Sequence, residues 1–422
     1  MQTRFLLRQL SYDLDTNLLF RPAMFLLGLL SLGWALPRVE MALASRSATV
    51  AAASAWLAPE PATAQLLMAT VAGAVMTVVS VVYSILLVAL SLASMQFSTR
   101  ILAGFMRDRL SRSVLGLFVG AFAYCLAVVR SVHTDPPEVP GFSVSLGLVL
   151  AIACLGALVL FIHHIVRSIQ ANVLVDRIAG EAEAVLDAVF PEDRTAGEPF
   201  PDVPLPHAVI ADRSGYVQLV DAEGLLRAAP GARMRVVRQN GGFVARGLAL
   251  VYADRPVDGD AVRACIDIGA ERTMQDDAEF GLRQIVDIAL KALSPAVNDP
   301  STAATCVDHL GRLLLRVATR RCGGRAVAGE GGAVWVPEPQ FVDLLDLAVE
   351  QIRQYGKGDM AAALRLMRVL GELAPVVTEP GARERIRYHA DRVREAAAAA
   401  FAPGDLEELE RRYAAVHSAI AA

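Results

Sequence analysis

The stretch PATAQLLMATVAGAVMTVVSVVYSILLVALSLASMQFST, residues 61–99, contains no acidic or basic side chain. As one continuous helix it would extend about 58 Å, at roughly 1.5 Å per residue. The hydrocarbon core of a bilayer is only about 30 Å thick. Two crossings would need a turn, but the single glycine of the stretch, Gly73, lies near its beginning. We therefore predict one helix that crosses the membrane and continues past it to about residue 105.

Three further runs have no charged side chain, and they cover residues 22–36, 113–129 and 142–162. Lipid offers no hydrogen-bond partner to a peptide group, so apolar runs of this length are expected to be helices. We place four transmembrane spans at about 20–37, 66–93, 113–131 and 143–165. A signal peptide is the alternative for the first run, but Asp13 and Asp15 precede it, which is atypical of signal peptides.

The positions of the arginines predict the orientation of the spans. With a cytoplasmic N-terminus, eight arginines fall in the inner segments and three in the outer segments. Inner loops of membrane proteins carry the excess of basic residues, so both termini are expected in the cytoplasm. The outer segment 38–65 is rich in alanine and is expected to be a loop or a surface helix.

Small and hydroxyl-bearing residues recur at alternating steps of three and four along the second span, which places them on one stripe. The stripe consists of Thr70, Gly73, Thr77, Ser80, Ser84, Leu87, Ser91, Ser94 and Ser98. One interpretation is close helix packing, because small residues let transmembrane helices approach each other. Gly116 and Gly120 in the third span form a GxxxG pattern, which is a packing signal of low specificity.

The other interpretation of the stripe is a pore lining in a homo-oligomer, where hydroxyl oxygens replace part of the hydration shell of an ion. The pore-lining candidates are Thr77, Ser80, Ser84, Leu87, Ser91, Ser94 and Ser98. Arg100 and Arg107 would then lie at the inner mouth and favour anions there. The positive-inside rule places arginines at this position in any case, so ion selectivity stays open.

Composition and motifs exclude several classes of function. The chain has 40 lysines and arginines against 44 aspartates and glutamates, so a general nucleic-acid binder is not expected. Five scattered cysteines form no CxxC pair and indicate reduced thiols. The sequence contains no GxxxxGK phosphate loop, no HExxH zinc motif and no GxSxG nucleophile motif. We therefore expect no catalytic residue, no metal and no cofactor.

The half of the chain after the fourth span is expected in the cytoplasm. A helical extension to about residue 190 leads into a proline-rich linker over 191–206. Residues 207–257 alternate β-prone runs with turn signals and predict a small module of about five strands. Residues 258–422 predict a helical domain in which 323–332 is a surface loop. The expected fold class is thus an α-helical membrane protein with a cytoplasmic α+β region.

The predicted β-module has glycine-containing segments, Gly215-Tyr-Val and Gly242-Phe-Val, that look like half-motifs of barrel-sandwich hybrids. Carrier members of that group hold biotin or lipoate on a lysine, and this module has no lysine. The resemblance therefore implies a structural or oligomerising module.

A group of charged and amide side chains is the best candidate for a cytoplasmic ligand site. It consists of Glu271, Arg272, Asp277, Glu279, Arg283, Asn298 and Asp299. Carboxylates beside arginines can bind a cation or a small ligand. Helix caps and surface ion pairs explain the same residues, because an aspartate followed by a proline is typical of a helix start.

Three segments carry a resemblance to a known family: SMQFSTR (94–100), FIHHIVRSIQ (161–170) and IGAERTMQDDAEFGLRQIVDIALKALSPAVNDPST (268–302). They resemble a bacterial family of predicted membrane proteins catalogued as domain of unknown function 2254. The resemblance covers essentially the whole chain and implies a multi-pass protein of the bacterial inner membrane. It implies no catalytic residues, because the family label states no activity.

Two hypotheses for function follow. The first is a homo-oligomeric inner-membrane channel or passive pore for ions or small solutes, with the second span lining the axis and the cytoplasmic domain joining subunits and gating. The second is a membrane-anchored scaffold or sensor whose cytoplasmic helices bind a ligand or a protein partner. The expected partners are the lipid bilayer and further copies of the chain, and nucleic acid is not among them.

Overall fold

The computed structural model describes residues 20–96, 108–134, 137–168, 170–192, 203–329 and 331–421. The chain divides into two compact units. The first contains the membrane spans and ends at Gln170, and the second begins at Ala171.

In the first unit, four helices are long and apolar enough to cross a membrane. They are α1 (Phe20–Ala44), α3 (Pro61–Gln96), α4 (Arg109–Val129) and α5 (Gly141–Ser168). The short helix α2 (Ala48–Leu57) precedes α3, and the strands β1 (His133–Thr134) and β2 (Pro137–Glu138) pair in antiparallel fashion before α5. The prediction of four long apolar helices is confirmed, and α3 is one continuous helix over Pro61–Gln96. Its predicted continuation to about residue 105 lies outside the described residues.

Glycines bring α1 and α4 into close contact. A Cβ atom on Gly120 would lie 2.6 Å from Leu29 Cδ1 and 2.8 Å from the carbonyl oxygen of Phe25. A Cβ atom on Gly116 would lie 3.0 Å from the ring of Phe25. The GxxxG pattern of α4 therefore packs against the first span, as small residues allow in membranes.

The strands of the second unit form two sheets. They are β3 (His207–Ile210), β4 (Gly215–Val220), β5 (Arg233–Val236), β6 (Phe243–Val244), β7 (Ala249–Ala253), β8 (Ile266–Gly269), β9 (Arg325–Gly329) and β10 (Gly332–Val336). The five-stranded sheet has the order β3-β7-β5-β10-β9, and the three-stranded sheet has the order β6-β4-β8. Strands β5 and β10 are parallel, and the other pairs are antiparallel. Side chains such as Val217, Met234 and Val334 form a common core with the short helices α7 (Ala222–Ala228) and α8 (Gly259–Arg263).

The expected surface loop at 323–332 is wrong, because most of this segment forms β9 and the first residue of β10. Its glycines resemble a loop locally, yet the strand pairing depends on contacts with β5, about a hundred residues earlier in the chain. The expected helical extension of the fourth span is also interrupted. Helix α5 ends at Ser168, and a separate helix α6 covers Ala171–Val189.

Helices form the rest of the second unit. They are α9 (Phe280–Ala292), α10 (Pro300–Val317), α11 (Phe341–Tyr355), α12 (Met360–Leu373), α13 (Pro380–Ala398) and α14 (Glu407–Ala421). Aspartate N-caps at Asp299 and Asp359 accept hydrogen bonds from the first turns of α10 and α12. The apolar face of α6 packs against α9 and α10, with Leu174, Ile178 and Leu186 buried.

Substitution Gly120→Leu should weaken the first unit, because the new side chain would overlap Phe25 and Leu29. Overpacking of this kind costs about 1–3 kcal/mol. The control is Gly156→Leu in α5, where no atom lies within 4 Å of the Cβ position. Thermal unfolding of the purified protein in detergent should show a lower midpoint for Gly120→Leu only. Equal midpoints for the two variants would contradict the packing described here.

Candidate functional site

The hydroxyl stripe of α3 faces away from the bundle of its own chain. The face of α3 that packs inside consists of apolar residues: Ala64, Met68, Ala72, Val75, Val79, Val82 and Ala89. The stripe residues from Thr70 to Ser91 are all exposed, and no atom lies within 4 Å of a Cβ placed on Gly73. Successive residues of an α-helix are separated by about 100° around its axis. At this spacing, the positions of the stripe fall on the side of α3 opposite the packed face.

The hydroxyl groups of the stripe from Thr70 to Ser84 donate hydrogen bonds to their own helix. Thr77 Oγ1 donates to the Gly73 carbonyl at 3.0 Å, and Ser84 Oγ donates to the Ser80 carbonyl at 2.9 Å. Thr70 and Ser80 make the same contact four residues back, at 2.7 and 3.2 Å. Because each proton is used within the helix, the lone pairs of these oxygens are the polar groups available on the exposed side.

The other pore candidates are described less fully. Leu87 is 66% exposed and is the large apolar member of the stripe. Ser98, Arg100 and Arg107 lie outside the described residues, as does the side chain of Ser94.

Part of the predicted cytoplasmic ligand site is occupied by an ion pair whose carboxylate is buried. Arg272 donates from Nε and Nη2 to the two carboxylate oxygens of Asp277, both at 2.8 Å. Asp277 is only 3% exposed and also accepts from the backbone N–H groups of Glu279 and Phe280. Burial raises the pKa of Asp277, and the hydrogen bonds from Arg272 oppose that shift.

The turn between β5 and β6 explains why this ion pair is tightly held; these two strands belong to different sheets, so the turn is not the hairpin that Asn240-Gly241-Gly242 suggests. Gly241 lies at this turn with φ of +81°, and there is no room for a Cβ atom against the carboxylate of Asp277. Asn240 Nδ2 donates to the backbone carbonyl of Asp276 at 3.2 Å. The ion pair therefore joins the β-module to the start of α9.

The remaining predicted residues lie outside this ion pair, before, along and after α9. Arg283 pairs with Asp287 one turn further along the helix, at 3.0 Å. Glu271 contributes its backbone carbonyl, which accepts a hydrogen bond from Gln218. Asn298 and Asp299 follow the far end of α9, whose thirteen residues extend about 20 Å. Hydrogen bonds from Thr302 lower the pKa of Asp299, as expected of a helix cap.

Glu40 is a buried carboxylate that was not predicted from the sequence, because the first span was expected to end at about residue 37. Helix α1 continues through Pro37, and Glu40 is only 4% exposed. Its Oε1 accepts from Ser54 Oγ at 2.5 Å and from the Phe142 N–H at 2.8 Å. Its Oε2 accepts from the N–H and the hydroxyl of Ser143, at 3.1 and 2.8 Å.

Glu40 therefore caps the N-terminus of α5, where the helix dipole favours a negative charge. The same carboxylate holds α2 through Ser54, whose Oγ also accepts from the Gly141 N–H at 3.2 Å. The available signal in the sequence was a glutamate, Glu40, shortly after Pro37 at the end of an apolar run. The sequence does not show which distant N–H groups this carboxylate accepts from. In the described part of the chain, no group of three His, Cys, Asp or Glu side chains is arranged to hold a metal ion.

Substitution Glu40→Gln should destabilise the first unit. The amide would turn an N–H group toward donors that need an acceptor, and a hydrogen bond to a charged group contributes about 1.5–3 kcal/mol. The matched control is Glu60→Gln, because Glu60 is exposed just before α3. The thermal midpoint in detergent should fall for Glu40→Gln and stay unchanged for Glu60→Gln. A wild-type midpoint for Glu40→Gln would show that the cap contributes nothing.

Comparison with known proteins agrees with this architecture. Residues 15–372 match the model of a family described as predicted membrane protein, DUF2254. An uncharacterized protein of Mycobacterium tuberculosis is 33% identical over 362 residues, which cover 81% of this chain and 70% of that protein. An uncharacterized protein of Mycobacterium bovis matches with the same identity and coverage. No solved structure matches the chain. With its four apolar helices, the chain belongs to the predicted membrane protein family DUF2254.

Proposed function

We propose that the protein is a homo-oligomeric channel or passive pore for ions or small solutes, in which α3 of each copy lines a central axis. The observation that carries the proposal is the hydroxyl stripe of α3, which is exposed while the opposite face of the helix packs inside the chain. The proposal includes no catalysis and no cofactor.

The length of the stripe supports a role across the whole membrane. From Thr70 to Ser91 the helix rises about 32 Å, which matches the roughly 30 Å thickness of the hydrocarbon core. A polar stripe of this extent can face lipid, a neighbouring copy or water. Lipid tails donate no hydrogen bond to the outward-facing hydroxyl oxygens, whereas water in a central pore does. A ring of copies would bring several stripes together around such a pore.

The chemistry of the stripe suits hydrated species. Oxygen lone pairs accept hydrogen bonds from water and coordinate cations, while Arg100 and Arg107 at the expected inner mouth would favour anions. The reversal potential in a salt gradient measures whether cations or anions permeate preferentially. Leu87 interrupts the hydroxyls and would form an apolar ring that gates the pore by dewetting.

The second unit has the size and helix content for joining copies and for gating. Helix α6 begins shortly after α5 ends, so the fourth span and the second unit are linked by a short connection. In the proposal, a conformational change in the second unit reaches the spans through this connection. The expected site of action is the inner membrane, with both termini in the cytoplasm.

A membrane-anchored scaffold or sensor is the alternative function. The ion pair of Arg272 with Asp277 and the cap at Asp299 use the polar groups expected to bind a ligand, so the described geometry gives this alternative less support. A scaffold would retain its cytoplasmic partner and would conduct no current.

Substitution Ser84→Leu should reduce the single-channel current in planar bilayers at least tenfold, because a large apolar side chain replaces a hydroxyl on the axis. Ser80→Leu should act in the same way. The control is Val81→Leu, which adds bulk to an exposed residue beside the stripe. Size-exclusion chromatography with light scattering checks assembly for each variant. Loss of assembly in Ser84→Leu would favour helix packing, and a silent wild-type oligomer would favour the scaffold.

Substitution Leu87→Ser should have the opposite effect. A hydroxyl at this position would hydrate the narrow part of the axis and raise the open probability or the conductance several-fold. Unchanged currents in Leu87→Ser, together with an effect of Ser84→Leu, would place the gate elsewhere along α3.

A further inference from the structure

Helix α2 is a short apolar helix with no charged side chain. Its sequence, ATVAAASAWL, covers Ala48–Leu57. Trp56 near its end is 85% exposed, and Thr49, Ala52, Ala53 and Ala55 are exposed as well. A free aqueous surface would leave this large, mostly apolar side chain in contact with water, which is unfavourable.

Hydrogen bonds fix α2 at one end of the bundle of spans. Its single buried residue, Ser54, donates to Glu40 near the end of α1 and accepts from Gly141 at the start of α5. Gly141 also leaves no room for a Cβ atom against the carbonyl oxygen of Ser54. Helix α2 therefore lies where the spans end, which is the level of a membrane surface.

The length and the flanks of α2 distinguish a surface helix from a crossing helix. Ten residues extend about 15 Å, half of the roughly 30 Å needed to cross the hydrocarbon core. Charged residues stand on both sides of the helix, with Arg46 before it and Glu60 after it, and both are exposed. An apolar segment between charged flanks fits the boundary between headgroups and acyl chains, where tryptophan is enriched.

We propose that α2 is an interfacial anchor whose exposed side, led by Trp56, docks into the lipid surface at the Glu40 end of the bundle. The hydrogen bonds of Ser54 hold one side of α2 against the protein. The other, apolar side then contacts the boundary between the headgroups and the acyl chains. The anchor does not depend on the pore proposal, because it follows from α2 and the ends of the spans alone.

The test uses the full chain in vesicles that contain lipids brominated at shallow or deep acyl positions. The chain has three tryptophans, so the variant Trp34→Phe/Trp335→Phe leaves Trp56 as the only one. We expect shallow bromine to quench its emission by at least a third, and aqueous iodide to quench it little. The matched control, Trp34→Phe/Trp56→Phe, retains Trp335 in the second unit and should not respond to brominated lipid.

Strong quenching by iodide with no effect of brominated lipid would overturn the proposal and place α2 in water. Insensitivity to both quenchers would overturn it in favour of a second copy or another protein covering the helix, and thiol cross-linking of the variant Trp56→Cys would identify that occupant. Because Trp34 is part of α1, replacing it could disturb the fold, and a second measurement leaves Trp34 in place. The difference in lipid quenching between the wild type and Trp56→Phe gives the contribution of Trp56 directly.

Discussion

A hydrocarbon layer supplies no hydrogen-bond partner, and this constraint accounts for the construction of the first unit. The spans are helical, and the serine and threonine hydroxyls of α3 from Thr70 to Ser84 donate to carbonyls of the same helix. Glu40 is buried with four neutral donors around its carboxylate. The N-terminus of α5 stabilises this carboxylate, because its first N–H groups have no acceptor within the helix and donate to Glu40 instead.

The lack of hydrogen-bond partners in the hydrocarbon layer also makes the polar, exposed side of α3 significant. Its packed side is apolar, and close contacts at Gly116 and Gly120 already hold α1 against α4. The hydroxyl stripe is therefore not used to assemble the single chain. The proposed pore and the helix-packing interpretation would both place it against further copies of the chain.

The second unit uses charge in another way, since many of its ion pairs join helices to each other. Arg316 on α10 donates to both oxygens of Asp187 on α6, and Arg320, which follows the end of α10, also donates to Asp187. The hydrogen bonds from Arg316 lower the pKa of Asp187 to about 2. A lowered pKa means that the contribution of this carboxylate is present above the ordinary aspartate value near 3.9 and is lost as the pH falls toward 2. The attachment of α6 is thus complete at neutral pH.

The sequence by itself determined the four apolar helices and the hydroxyl stripe, because helix length and periodicity are local properties of the chain. It also located the helix cap at Asp299, whose pattern is complete within a few residues. Only the tertiary structure decided that Glu40 caps α5, that β10 pairs with β5, and that the Arg272–Asp277 ion pair packs against Gly241. These features depend on groups brought together from distant parts of the chain, and local periodicity carries no information about which distant partner a side chain or strand will meet.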